Sequence, residues 1–226
     1  MVFAGEEKAN TMTLPVQSLA SLALRKAPEK EICPYLPDDL QSILPGLQAG
    51  AITEITGTSS SGRTSLVLSI CAAASRSGEL CAYIDGGNSF DPISAGRAGV
   101  VLDQLLWVQC HHELNHALQS ADMILHGGGF RVLVLDLGQF SIQELQRVPL
   151  SWWHRLRLAV ENTPTVLVLL GHQAIAKQAA ATQVELRRKE VRWSGNLLTG
   201  LDGQAVFRKP MRKESAVLRT RAAGEG

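Results

Sequence analysis

From Ala51 to Leu170 short apolar runs alternate with amphipathic stretches, and this alternation restricts the fold more than any other feature of the chain. The runs Ala51–Ile55, Leu80–Ile84, Leu105–Gln109, Arg131–Leu135 and Thr165–Leu170 are nearly continuous in their apolar character. Strands of that kind are buried on both faces, which is the signature of a parallel sheet whose crossovers are helices. The segments between them predict helices over Thr64–Ser77, closed by Gly78, over His112–Leu125, over a short Ile142–Arg147, and past Pro149 over Ser151–Glu161. The expected class is α/β, a mostly parallel sheet with helices on both faces. Beyond Gly171, strands at Val184–Trp193, Gln204–Arg208 and Ala216–Thr220, joined by turns such as Ser194-Gly195-Asn196, predict an antiparallel C-terminal extension.

With 226 residues, 45% of them hydrophobic, the chain can bury one full core but not two large ones. The divisions expected are an N-terminal arm over 1–45, with a short helix at Val16–Lys26 among prolines and charges, a core over 46–205, and a basic strand and tail over 206–226. Cys33, Cys71, Cys81 and Cys110 are widely spaced, with no CxxC pair, which suits a reducing cytoplasm better than a disulfide framework or a zinc ribbon. No apolar run approaches the roughly 20 residues a bilayer span needs, so no membrane association is expected. A net charge of +1 leaves any basic surface to be local.

The chemistry is concentrated in Ile55-Thr56-Gly57-Thr58-Ser59-Ser60-Ser61-Gly62-Arg63-Thr64-Ser65. A strand runs into this segment and a helix leaves it, the context of a phosphate-binding loop. Glycines there free backbone N–H groups to meet an anion at the positive end of the helix. Gly57, Ser60, Ser61, Gly62, Arg63, Thr64 and Ser65 are the expected phosphate contacts. Thr64 stands where a hydroxyl would hold magnesium, and Asp136, at the end of a later strand, stands where the second magnesium carboxylate of an NTPase would be. Arg63 occupies the position usual for lysine, and its planar guanidinium is no substitute for a compact ammonium. ATP and magnesium are therefore expected to bind weakly.

The loop Gly57–Thr64, together with Leu80-Cys81-Ala82-Tyr83-Ile84-Asp85 and Asp91-Pro92-Ile93, resembles the RecA-like P-loop ATPases in order and spacing, over roughly Leu44–Leu170. At this length the extra C-terminal domain of RecA itself is not expected. Val184-Glu185-Leu186-Arg187-Arg188 and the basic tail resemble the small RecA-like accessory proteins of translesion synthesis, the ImuA group. The resemblance implies a RecA-like core and a role in DNA repair, within the SOS response to damage. It also implies that the water-activating glutamate falls at Gly87, which cannot act as a base, and that Asp91 contacts the base. Ser94 stands where an aromatic ring would cover the adenine, and Gln173 falls near a glutamine that senses the γ-phosphate.

His112-Glu113-Leu114-Asn115-His116 matches HExxH, whose histidines bind zinc from one helix face. On a helical wheel Leu114, Ala117, Leu118, Ala121, Ile124 and Leu125 form the apolar face, and His112 and His116 lie opposite it. Solvated surface histidines, without zinc, are the expectation.

Arg187, Arg188, Lys189 and Arg192 form one basic cluster; Arg208, Lys209, Arg212, Lys213, Arg219 and Arg221 form a second. They fit phosphates of DNA or a partner, or equally the charged edges that keep strands from aggregating. Of Trp107, Trp152, Trp153 and Trp193, the adjacent pair cannot both face inward on one helix. The leading expectation is an accessory subunit that binds a polymerase-like partner or a RecA filament, with DNA contact and oligomerisation open. The alternatives are an active DNA-stimulated ATPase, using a carboxylate from a neighbouring subunit, and a cell-division inhibitor of the SulA type.

Overall fold

The computed structural model describes residues 31–41, 46–194, 197–209 and 215–221, with side chains at 193–199 and 219–221 outside that description. The expected helix at Val16–Lys26, most of the arm and the turn at Gly195-Asn196 lie outside the described residues.

Ten strands and six α-helices are described: β1 (Ile32–Cys33), α1 (Asp38–Gln41), β2 (Leu47–Gln48), β3 (Ala51–Gly57), α2 (Arg63–Arg76), β4 (Cys81–Asp85), α3 (Pro92–Arg97), β5 (Leu105–Gln109), α4 (Leu114–Gly127), β6 (Val132–Asp136), α5 (Ile142–Gln146), α6 (Leu150–Val160), β7 (Val166–Gly171), β8 (Ala180–Ser194), β9 (Leu197–Lys209) and β10 (Ser215–Arg221). Strands β1 and β2 form a small antiparallel pair. The other eight form one sheet in the order β10-β9-β8-β3-β7-β6-β4-β5. Every pairing from β8 through β3 to β5 is parallel, and β8-β9 and β9-β10 are antiparallel. Strand β9 passes through residue 206 without a break and β10 pairs along it, so the basic tail from 206 to 209 and from 215 to 221 is part of the main sheet.

Every residue of β3, β4, β6 and β7 is buried, which is why β4, β6 and β7 read as nearly unbroken apolar runs, while β3 buries Thr53, Glu54 and Thr56 as well. Because strand residues alternate between faces, each contributes to two cores. On one face Tyr83, Val134, Val168 and Val184 pack under α2. On the other, Ile84, Leu135 and Leu169 pack under α4 and α6, around Trp153 and Leu156. Trp153 is 2% exposed, and truncating a buried tryptophan to alanine costs about 3–5 kcal/mol. Its neighbour Trp152 is half-buried, with Arg155 lying 5.5 Å from its ring. At the sheet's outer edge β5 is largely uncovered: Leu106 is 44% and Trp107 37% exposed.

Besides β9, which begins at Leu197 and not Gln204, two elements start at clearly different residues from the sequence expectation. The helix expected from His112 starts at Leu114, because His111 and His112 are both left-handed, with φ of 50° and 65°. The His112 N–H donates to the Gly86 carbonyl at 2.9 Å, and Asn88 holds His111 through its amide. His112 therefore lies off the helix that carries His116, stacked on Phe140 at 4.8 Å, and the one-face spacing of HExxH is lost. Among the described residues no group of three metal-binding side chains gathers. The second difference is β8, which begins at Ala180 and not Val184, since pairing of Ala180 with Ile52 of β3 overrides the helical preference of an alanine run. Among the described residues no helix is long and apolar enough to cross a membrane.

Candidate nucleotide site and the adjoining basic cleft

Strand β3 ends at Gly57, where the chain leaves the sheet. A Cβ there would stand 2.4 Å from Ser61 Oγ and 2.6 Å from the Leu186 carbonyl, so only glycine fits between the returning loop and β8. The loop closes through the Ser61 N–H to the Thr58 carbonyl at 3.2 Å. Ser60 and Gly62 adopt positive φ of 58° and 89°, and Gly62 then caps α2 with no side-chain acceptor for the first turn. A helix start leaves its first four N–H groups without intrahelical partners, so the loop offers donors to an anion. Thr64 and Ser65 are exposed on that first turn, while Ser61 is buried and its hydroxyl lacks a hydrogen-bond partner.

Arg63 folds back across this cup. Its Nη1 donates to the Gly57 carbonyl at 3.0 Å, tying the two ends of the loop together. Asp136 approaches from β6. Alternation along β4 and β6 sends Tyr83, Asp85, Val134 and Asp136 to the α2 face, with Asp85 and Asp136 in register on adjacent strands. The Tyr83 hydroxyl donates to Asp136 Oδ2 at 2.6 Å, and the Gly138 N–H donates to Oδ1 at 2.8 Å. A Cβ built on Gly138 would lie 3.0 Å from Asp136 Oδ1 and 3.2 Å from Arg63 Nη2, which places guanidinium and carboxylate on either side of one glycine. Burial raises the Asp136 carboxyl above its ordinary range, against the lowering effect of Tyr83 and Gly138. Burial also lowers the Arg63 guanidinium, with Asp136 opposing it.

Asp85 is fully buried and receives the Ser89 and Phe90 N–H groups at 2.9 and 3.0 Å. Those bonds seat the Phe90 ring against Tyr83, 4.5 Å between centroids, and Trp107 of the sheet edge lies 5.3 Å beyond Phe90. Asp91 caps α3: it accepts the Ile93 and Ser94 N–H groups at 3.1 Å each and the Ser94 hydroxyl at 2.5 Å, bonds that hold its carboxyl below the usual range. Gly87, the position of the missing glutamate, lies beside Gln139.

A cleft of about 630 Å³ opens beside the loop, lined by Gly57, Thr58, Gln173, Arg187, Arg188 and Arg208 among others. The structure thus brings Gln173 and three of the predicted basic residues to one flank of the phosphate loop. Glu185 sits between two of them, accepting from Arg187 at 2.7 Å and from Arg208 at 2.8 and 2.6 Å, and both arginines lower its carboxyl. Arg188 is exposed. Lys209 is elsewhere, its ammonium bonded to the Gln178 and Ala180 carbonyls. Arg192 pairs with Asp202 at 3.1 Å. Arg212 and Lys213 lie outside the described residues. Sequence reasoning missed Tyr83 and Glu185 as partners, and also Glu54, which lies fully within β3. Glu54 pins the segment after β7 by accepting the Ile175 and Ala176 N–H groups and the Gln183 amide. A charged residue inside an apolar run was the visible signal for it.

Residues 37–142 match the family model of the RecA N-terminal domain. Protein RecA of Laribacter hongkongensis is 44% identical over 91 residues, which make up 40% of this chain and 25% of that protein. Protein RecA of Teredinibacter turnerae is 43% identical over 91 residues, 40% of this chain and 26% of its own length. The chain thus matches about a quarter of the length of these relatives, and the residues matched by the family model include the strand, loop and helix that build the cup.

Proposed function

We propose that this RecA-like chain is an accessory protein of DNA repair and damage-induced translesion synthesis, similar to ImuA. It receives phosphate weakly and acts mainly by binding protein partners, a polymerase-like protein or a RecA filament, with DNA contact through the arginine cleft. The observation that carries this reading is Arg63 turned back onto the Gly57 carbonyl. A Walker lysine would reach forward as a point charge to the β- and γ-phosphates, and here a planar cation braces the loop instead. Glycine at position 87 removes any side chain that could activate water from there. ATP, if received, is held by the loop donors and not turned over efficiently.

Partner binding is supported by the uncovered edge strand β5, where Leu106 and Trp107 stay exposed. Edge strands with free backbone groups and apolar side chains are templates for added strands. The deciding experiment measures ATP binding and turnover side by side, with and without single-stranded DNA, for the wild type and Asp136→Ala. Weak binding with negligible turnover is expected. Robust, DNA-stimulated turnover that collapses in Asp136→Ala would overturn this reading in favour of an active ATPase. Filamentation on expression with no binding to a RecA filament would favour a SulA-type inhibitor.

A further inference from the structure

We propose that the phosphate loop takes its anion without a divalent cation, because Tyr83 and the Gly138 N–H already occupy the carboxylate that would serve magnesium and the Arg63 guanidinium stands near it. The proposal rests on the reading above that Gly57–Thr64 receives phosphate. Nucleotide-bound magnesium is held near the loop by a hydroxyl and a carboxylate, within a nearly ideal octahedron that tolerates little displacement. Of the two carboxylates on the α2 face, Asp85 is taken by the Ser89 and Phe90 N–H groups, which leaves Asp136 to act with Thr64, and Asp136 does not fit the task. One oxygen of Asp136 takes the Tyr83 hydroxyl and the other the Gly138 N–H, and the side chain is almost wholly buried.

Charge argues the same way. The Arg63 guanidinium lies across Gly138 from Asp136 and is fixed by its bond to the Gly57 carbonyl. A divalent ion entering between loop and carboxylate would meet a resident cation at short range, where like charges in a poorly solvated site repel strongly. The same guanidinium, a planar fork of donors matched to phosphate oxygens, supplies the positive charge that magnesium would otherwise bring. Tyr83 itself is locked: Phe90 packs on its ring, held there by Asp85. Its hydroxyl therefore cannot swing away without disturbing the turn after β4.

The ligand class is a di- or triphosphate group, free or on a nucleotide, in its metal-free form. Calorimetric titration with pyrophosphate and with ADP, each in EDTA and in magnesium, tests this. The wild type is expected to bind in EDTA at least as tightly as in magnesium, and Arg63→Ala to lose that binding by about tenfold or more. Tyr83→Phe keeps the ring and frees Oδ2, so this variant is expected to gain about tenfold from magnesium. Wild-type binding only with magnesium would overturn the inference while leaving the phosphate-loop reading intact. Binding in neither medium would overturn both. A Tyr83→Phe chain that remains indifferent to magnesium, with an unchanged near-ultraviolet dichroism, would overturn the part assigned to Tyr83.

Discussion

Gly87 and Gln139 stand so close that a Cβ added to the glycine would lie 2.2 Å from Gln139 Cβ and 2.4 Å from its Cγ. The position where the resemblance places a catalytic glutamate has therefore been closed from the opposite loop, and not merely emptied. Overpacking of this kind costs about 1–3 kcal/mol. Gly87→Glu alone is expected to lower the unfolding free energy by that amount, and with it the urea midpoint, and to bring no ATP turnover. Adding Gln139→Gly, which removes the two atoms nearest that Cβ and leaves the residue 139 Cα at 3.6 Å, is expected to return most of the lost stability. Urea titrations of the single and double variants check this, and an unperturbed midpoint for Gly87→Glu alone would refute the closure.

Glu54 is a buried carboxylate with three donors, and burial raises its pKa from the ordinary 4.5 against the lowering effect of those donors. The folded chain then holds this proton more tightly than the unfolded chain. The group's favourable contribution is complete below 4.5 and is lost as the pH climbs through the higher folded value. Glu54→Gln keeps an acceptor for Ile175 and Ala176 without the buried charge. Its stability relative to wild type is expected to rise from acid to neutral pH. Glu54→Ala strands two backbone donors and is expected to cost about 1–3 kcal/mol for each one left buried. Thermal melts at several pH values distinguish the two variants.

Glu185 holds Arg187 and Arg208 at the mouth of the basic cleft, so their charge is partly spent within the protein. Glu185→Gln is expected to strengthen binding of single-stranded DNA and to steepen its salt dependence by about one to two units in the log–log slope. Arg188→Ala is expected to weaken binding evenly across sequences and to flatten that slope by about one. Fluorescence anisotropy over a salt series measures both, and slopes identical to wild type in the two variants would remove DNA from the cleft.

Leu106 protrudes from the edge strand β5 without a place in the two cores. Replacing such a residue by arginine typically changes stability by no more than about 0.5 kcal/mol. If β5 receives a partner strand, Leu106→Arg is expected to weaken binding to a RecA filament on single-stranded DNA by about tenfold or more, as loss of an interface anchor does. Co-sedimentation with preformed filaments reads this directly, and undiminished binding would move the interface away from β5.

The parallel sheet was legible because strands buried on both faces are largely apolar along their length, and each of the five strands predicted between Ala51 and Leu170 lies within two residues of an observed one. The cup was legible for a related reason: its glycines, Arg63 and Thr64 are neighbours in sequence, so their spacing alone fixes their geometry. What sequence could not supply was non-local. Tyr83 and Asp136 are joined only by the register of β4 with β6, and a tyrosine inside an apolar strand reads as core. The left-handed turn at His111 and His112 depends on Asn88 and the Gly86 carbonyl, so the helix that a wheel extends to His112 stops short of it. The gathering of Gln173 with Arg187, Arg188 and Arg208 likewise needed β8 to be laid beside β3, and an alanine-rich start concealed how early that strand begins.

The rings of Trp107, Phe90 and Tyr83 touch in succession, from the open rim of the sheet to the carboxylate at its heart. The first of these rings is partly exposed on the edge strand, and the last donates its hydroxyl to Asp136. One run of stacked side chains thus joins the exposed edge of the sheet to the hydrogen bond that holds Asp136.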